Sequence, residues 1–200
     1  MGTDNRSITS QWKAYQFGGA FFRLNYAFDD RYLLEVNGRY DGSSRFPSDE
    51  RWAFFPSASV GWRISQEPWW NVKSEHISNA KVRFSWGSLG NAAGLSNYQY
   101  IQTLGISKSD YILDGLRQNY MSSPAALPGN LTWETATTYD IGVDLGFFDN
   151  RLTVSGDYYI RKTTDMIVNG PTVPDVFGAS SPKGNYADMS TYGYELSLKW

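Results

Sequence analysis

Apolar and polar residues alternate along this chain with a period of two, in several separate runs. Over residues 18–28, Ala20, Phe22, Leu24, Tyr26 and Phe28 share one face, and Arg23 and Asn25 occupy the other together with Phe21 and Ala27. Asp29-Asp30 marks a turn. Tyr32, Leu34, Val36 and Tyr40 then alternate with Arg31, Glu35, Asn37, Arg39 and Asp41. A polar loop from Gly42 to Arg51 follows, with Gly42 expected to supply a positive-φ turn. Next, Trp52, Phe54, Ala58, Val60, Trp62 and Ile64 oppose Ser57, Ser59, Gly61, Arg63 and Ser65, and Ala80, Val82, Phe84 and Trp86 oppose Lys81, Arg83, Ser85 and Gly87. Residues 90–132 hold Gly, Asn, Ser and Pro with only weak strand signals. The period returns with Tyr139, Ile141, Val143, Leu145 and Phe147 against Asp140, Gly142, Asp144 and Gly146. After the turn Asp149-Asn150-Arg151, Leu152, Val154, Tyr158 and Ile160 oppose Thr153, Ser155, Asp157 and Arg161. A loop over residues 162–188 precedes the last run, Tyr192, Tyr194, Leu196, Leu198 and Trp200 against Gly193, Glu195, Ser197 and Lys199.

The runs predict an all-β chain of about seven long antiparallel strands, each roughly ten residues and near the ~9–11 that a tilted strand needs to cross a bilayer. No ordinary helix is predicted, only a helical turn within residues 67–78. Connections alternate in length: 29–30 and 149–151 are short, whereas 42–51, 90–132 and 162–188 are long. Outer-membrane barrels place short turns on the periplasmic side and long loops outside. The segment 66–79 breaks this pattern by being long where a short turn is expected. Aromatic residues assigned to strand ends (Tyr26, Phe28, Tyr32, Tyr40, Trp52, Phe54, Trp62, Trp86, Tyr139, Phe147, Phe148, Tyr158 and Trp200) suit rings at the level of lipid headgroups. A soluble sandwich that binds polysaccharide is the alternative, since it also alternates while packing its apolar faces together. Its strands usually run ~5–6 residues, and the polar face here is densely charged with both signs, as in a hydrated lumen.

Composition fits without deciding. The 200 residues include Trp 8, Tyr 14, Phe 11 and Gly 19, yet the mean hydropathy is -0.46. Lumen-facing polar residues dilute the lipid-facing ones in a transmembrane barrel, so such an average is expected there. A net charge of -2 offers no basic surface for nucleic acid. Cysteine is absent and histidine occurs once, which removes thiolate sites and leaves little for histidine catalysis. The N-terminus lacks the charged start and apolar run of a signal peptide, so for an exported protein the chain is expected to be a fragment or a processed form.

Several segments then carry a resemblance. Arg39-Tyr40-Asp41-Gly42-Ser43-Ser44-Arg45-Phe46 resembles the R-x-D-G-S-S-R-F signature of SusC/RagA-type TonB-dependent transporters. Phe55-Pro56-Ser57-Ala58-Ser59-Val60-Gly61-Trp62-Arg63 is similar to that family's F-P-S-x-S-x-x-W-R strand. Lys81-Val82-Arg83-Phe84-Ser85-Trp86-Gly87-Ser88-Leu89-Gly90-Asn91 is similar to its K-[LV]-R-x-S-[YW]-G-x-x-G-N block, with Ala80 where Leu is usual. Trp133-Glu134, Gly142-Val143-Asp144, Asn150-Arg151-Leu152 and Asp157-Tyr158-Tyr159 continue in the family's order, and Tyr192-Gly193-Tyr194-Glu195 stands where N-x-G-x-E is usual. The resemblance spans residues 21–200. It implies a 22-stranded, plugged outer-membrane barrel of which residues 1–200 are part of the wall, with the plug and the TonB-binding segment elsewhere. It further implies TonB-energised import of glycan or peptide oligomers through the lipid bilayer and a SusD-like surface lipoprotein as partner. An open sheet alone leaves backbone groups unpaired in lipid, so the segment by itself is not expected to insert or transport.

Candidate sites follow from these readings. Arg23, Glu35, Arg39, Arg63, Arg83, Asp144 and Glu195 are expected to line the lumen or face the plug. Asn97, Tyr98, Tyr100 and Tyr111, in the long loop, are candidates for substrate contact, because tyrosine offers a flat apolar face and a hydroxyl. Asp41, Gly42, Ser43, Ser44, Arg45 and Phe46 form the signature, read as a polar outer loop. Asp41-Gly42-Ser43-Ser44 with Asp49-Glu50 lacks the ligand pattern of a calcium loop, so no metal is assigned. His76 is read as solvated, and Trp69-Trp70 as an anchor at the membrane interface. Ser43, Ser44 and the carboxylates show no nucleophile–base pair, so neither a cofactor nor catalysis is expected.

Overall fold

The computed structural model describes residues 12–122, 126–129, 131–174, 176, 178 and 181–200. Seven strands form one antiparallel sheet: β1 (Phe17–Phe28), β2 (Tyr32–Ser43), β3 (Trp52–Arg63), β4 (Asn79–Asn91), β7 (Glu134–Phe147), β8 (Leu152–Asn169) and β9 (Lys183–Lys199), in the order β1-β2-β3-β4-β7-β8-β9. A separate hairpin, β5 (Ile106–Leu113) and β6 (Leu116–Met121), lies within the connection from β4 to β7. A 3₁₀ turn occupies Ile64–Gln66.

The pairing registers turn the sequence period into two opposed faces. One cross-strand row reads Tyr26, Leu34, Val60, Phe84, Ile141, Tyr158, Tyr194, and the next reads Leu24, Val36, Ala58, Trp86, Tyr139, Ile160, Tyr192. Directly paired side chains share a face, so these rows form a continuous apolar surface. It is open: Phe84 is 46 % exposed, Ile141 51 % and Tyr194 86 %. Among the described residues no second layer packs over it, as the two sheets of a sandwich would. A soluble sheet would bury such a face, whereas a membrane sheet offers it to lipid. Tyr26 stands two residues from the end of β1, as expected, whereas Tyr158 lies well inside β8, which corrects its placement at a strand end.

The connections separate cleanly. Turns 29–31 and 148–151 and the segment 64–78 lie at one end, and the three long connections at the other. Asp29 and Asp30 both have positive φ, as does the run Phe148, Asp149 and Asn150. These are tight turns of the left-handed kind that match strand twist. The hairpin β5–β6 closes the same way, through Asp114 and Gly115 at φ 53 and 77. Residues 90–132 therefore contain strands that the alternation does not reveal. β8 and β9 are also longer than their sequence period indicates. Past the last β7 pair, Thr135 with Thr164, they continue as a two-stranded ribbon to the pair Asn169–Lys183. A bulge interrupts that ribbon around Asp165, whose φ is 57.

The one buried apolar cluster among the described residues lies at the loop end. Phe46, Phe55, Leu95, Leu131 and Trp133 pack together, with Ala53, Ala92, Tyr100 and Ile167 around them. Phe46 is fully buried and stacks on Trp133 at 4.7 Å between ring centres, and Phe17 and Phe55 meet Trp133 edge-on. Phe17 and Phe55 belong to the polar face by register, so the cluster caps that face at its loop end.

Candidate functional site

The polar face carries charges of both signs, several of them paired. Arg23, Glu35, Arg39, Arg63, Arg83, Asp144 and Glu195 all stand on it by register. Arg23 donates to Glu35 at 2.7 Å, and Arg39 pairs with Asp41 on its own strand at 3.0 Å. The densest group is centred on Arg83. Its Nε and Nη2 donate to the two oxygens of Asp144 at 2.7 and 3.1 Å, and Nη2 also donates to Asp157 at 2.8 Å. Arg83 lies on β4, Asp144 on β7 and Asp157 on β8, so one guanidinium ties three strands. Gly142, which lies between Arg83 and Asp157 in the cross-strand row, makes this possible. A Cβ there would fall 2.2 Å from Asp157 Oδ1 and 2.8 Å from Arg83 Cζ. Exposed ion pairs contribute little singly, but a forked, shared one also fixes geometry. Asp140, Tyr159, Arg161, Thr191 and Glu195 complete the hollow beside it.

At the loop end, the signature residues do something other than line a polar loop. Gly42 and Ser43 still belong to β2, and Gly42 pairs with Trp52 in the ladder. The expected positive φ at Gly42 is not found; glycine is needed because a Cβ would lie 2.5 Å from the Trp52 ring. That ring in turn stacks on Tyr40 at 5.2 Å. Asp41 and Ser43 are buried, Ser43 Oγ accepts the Arg45 N–H, and Phe46 plugs into the Trp133 cluster. Asp49 is exposed beside Glu50, whose carboxylate accepts the Thr132 hydroxyl at 3.0 Å.

The four substrate-contact candidates are not brought together. Asn97 Oδ1 accepts from Arg45, Tyr98 donates through its hydroxyl to the Ala14 carbonyl, and Tyr100 packs on the buried cluster. Tyr111, 74 % exposed, stands apart on the β5–β6 hairpin.

The turn end holds a group that sequence reading missed. Glu67, in the long segment after β3, is buried and accepts from Tyr32 Oη at 2.7 Å, Trp62 Nε1 at 2.8 Å and Arg31 Nη1 at 3.1 Å. The hydrogen bond from Trp62, reinforced by those from Tyr32 and Arg31, holds the Glu67 carboxyl below its ordinary value. The same segment reaches the other turn. The Ser74 carbonyl accepts the Asp149 N–H, Ser78 Oγ accepts the Asn150 N–H, and the Ser78 N–H donates to the Gly146 carbonyl. Its length is therefore structural, because it braces both neighbouring turns. Trp69 meets Trp62 and Trp70 edge-on within this region, and His76 is exposed. The residues around Glu67 come from positions 31, 32 and 62, so no local motif announces them.

A two-faced sheet of this kind has a known home. The family model described as "TonB dependent receptor-like, beta-barrel" matches residues 2–200. The chain belongs to that family. Its relatives include TonB-dependent receptor P26 of Formosa agariphila, 34 % identical over 192 residues that make up 96 % of this chain and 19 % of that protein. TonB-dependent receptor SusC of Bacteroides thetaiotaomicron is 36 % identical over 183 residues, 89 % of this chain and 18 % of its own. A solved structure of the RagAB peptide transporter superposes with a TM-score of 0.78 at 30 % identity, covering 92 % of this chain and 20 % of that one. The siderophore receptor PirA of Pseudomonas aeruginosa, 15 % identical with a TM-score of 0.58, shares the fold. The chain spans about a fifth of the length of these SusC-like and RagA-like relatives. As part of a TonB-dependent receptor barrel it is an outer-membrane protein. Its open apolar rows suit the lipid side of such a barrel, and short turns at one end with long loops at the other suit the periplasmic and outer sides.

Proposed function

We propose that these residues form part of the wall of a transporter that imports glycan or peptide oligomers across the outer membrane, energised through TonB. The observation that carries this reading is the charged face: polar and charged residues follow one another across the strands, with ion pairs from β1 to β2 and from β4 to β7 and β8, and this face, backed by an open apolar surface, suits a hydrated lumen inside lipid. The relatives support it, one being a receptor named SusC and another part of a peptide transporter. On this reading residues 1–200 are a partial barrel domain. The plug and TonB-binding segment are supplied by other sequence, and Arg23, Glu35, Arg39, Arg63, Arg83, Asp144 and Glu195 face the lumen or the plug. A SusD-like lipoprotein caps the barrel outside, and Asn97, Tyr98, Tyr100 and Tyr111 border the entry, with Tyr98 and Tyr111 the more exposed. No catalytic role is assigned to any residue.

The test is uptake by cells carrying the full-length receptor, with fluorescently labelled maltooligosaccharides and a labelled casein digest as probes. Uptake of one probe that requires both the receptor and the TonB system is expected. Uptake that persists without TonB, or failure to take up either class, would overturn the reading.

A further inference from the structure

Three outer segments that are distant in sequence converge on one side chain, Arg45. Its Nε donates to Asn97 Oδ1 at 3.2 Å and its Nη1 donates to the Ala92 carbonyl at 3.3 Å. The face of the guanidinium lies over the Tyr15 ring, 4.2 Å from its centre. Tyr15 belongs to the stretch that enters β1, Arg45 to the β2–β3 loop, and Ala92 and Asn97 to the start of the β4–β7 connection. Shorter ties bind the same pieces. Ser44 N–H donates to the Gln16 carbonyl at 3.0 Å, Gln16 N–H donates to Ser44 Oγ at 2.9 Å, and the Tyr98 hydroxyl donates to the Ala14 carbonyl at 3.2 Å. The next residue along, Phe46, is locked against Trp133, so Arg45 has a fixed base from which to reach.

The chemistry is particular to arginine. Its planar head uses the edge for two oxygen acceptors while presenting the face to an aromatic ring. A lysine ammonium has no such plane and cannot serve both at once. Arg45 also lies beyond the last β2–β3 pair, Gly42 with Trp52, so it contributes nothing to the ladder of the wall.

We infer that Arg45 is a clamp that joins the three outer segments into one rim, from which the β5–β6 hairpin is carried, while the strand ladders of the wall hold without it. The signature motif on this account organises the mouth. It is not a ligand site.

The test uses the full-length receptor in detergent micelles: wild type, R45A, R45K and N97A. Hydrogen exchange is read over peptides covering residues 12–16 and 92–100, and barrel integrity from heat-modifiable mobility on gels. R45A is expected to speed exchange in both peptides by roughly tenfold or more, the scale of losing charge-assisted hydrogen bonds, with mobility unchanged. R45K is expected to recover little of the protection, and N97A to give a smaller rise confined to residues 92–100. Unchanged exchange in R45A, full recovery in R45K, or loss of the folded-barrel mobility would each overturn the clamp. The readout is loop opening and not uptake, so it stands or falls separately from the transport reading.

Discussion

The assignment of faces can be tested by placing one charge at the centre of the apolar surface. On β7 the apolar face is taken to run from Thr137, whose hydroxyl pairs with Ser88 at 3.0 Å, as the outer boundary to the Phe147–Phe148 pair as the inner one. From Thr137 to Phe147 at ~3.3 Å per residue is about 33 Å along the strand. A tilt of ~40° reduces that to about 25 Å of height, the thickness of the apolar band of an outer-membrane barrel. Ile141, 51 % exposed and flanked in its row by Phe84 and Tyr158, lies near the middle of the band. Arginine there should cost ~2–4 kcal/mol, and at Phe147 only ~0–1 kcal/mol. At ~1.4 kcal/mol per tenfold, the central substitution lowers the folded-to-unfolded ratio by roughly 30- to 700-fold. The control is Ser85→Arg, opposite Asp140 on the polar face, which should be nearly neutral. Urea titration of the full-length receptor refolded into lipid vesicles, scored by heat-modifiable mobility, separates the three variants. Equal costs for Ile141→Arg and Ser85→Arg would refute the lipid-facing assignment.

Three further outcomes follow from the geometry. Gly142→Ala should destabilise the barrel by about 1–3 kcal/mol by displacing Arg83 or Asp157; the same change in an Asp157→Ala background should cost less, and equal costs in the two backgrounds would show that the crowding is irrelevant. Phe46→Ala should cost up to ~3–5 kcal/mol of local stability by emptying its site against Trp133, seen as early protease cleavage of the outer loops while the barrel persists; loops as resistant as wild type would count against the buried cluster. Glu67 has a folded pKa below its ordinary 4.5, so its stabilisation is fully present above about that pH and is lost as pH falls through the folded value. The wild-type advantage over Glu67→Gln in thermal unfolding should hold at pH 7 and shrink below 4.5, and an advantage unchanged in strong acid would refute the role of charge.

Much of this molecule is legible in its sequence because a period of two survives wherever one face meets lipid and the other water. The runs around Leu24, Leu34, Val60, Phe84 and Ile141 identify their strands, and the registers then bring the charges of Arg23, Glu35, Arg83 and Asp144 onto one side. Where strands leave the bilayer the period has no cause to persist. The outer parts of β8 and β9 are therefore undercounted, since Thr163, Thr164 and Asp165 are polar without alternation and a bulge shifts the register. β5 and β6 are missed for the same reason, although Asp114-Gly115 between Leu113 and Leu116 is a hairpin signal that local reading can find. Residue type alone points Gly42 to a turn, whereas its requirement comes from the Trp52 ring across the ladder. Glu67 is legible only in three dimensions, because its partners are set by strand pairing.

The ribbon formed by the far ends of β8 and β9 stands clear of the membrane. Lys162 pairs with Thr137 at the outer boundary, so the seven residues from Thr163 to Asn169 rise roughly 18 Å above it at ~3.3 Å per residue and the same tilt. The rim is thus a parapet, higher on this flank than beside β2 and β3, which end together at Ser43 and Trp52. An epitope tag spliced between Asn169 and Lys183 would therefore sit at the far end of this ribbon, away from every residue of the apolar rows.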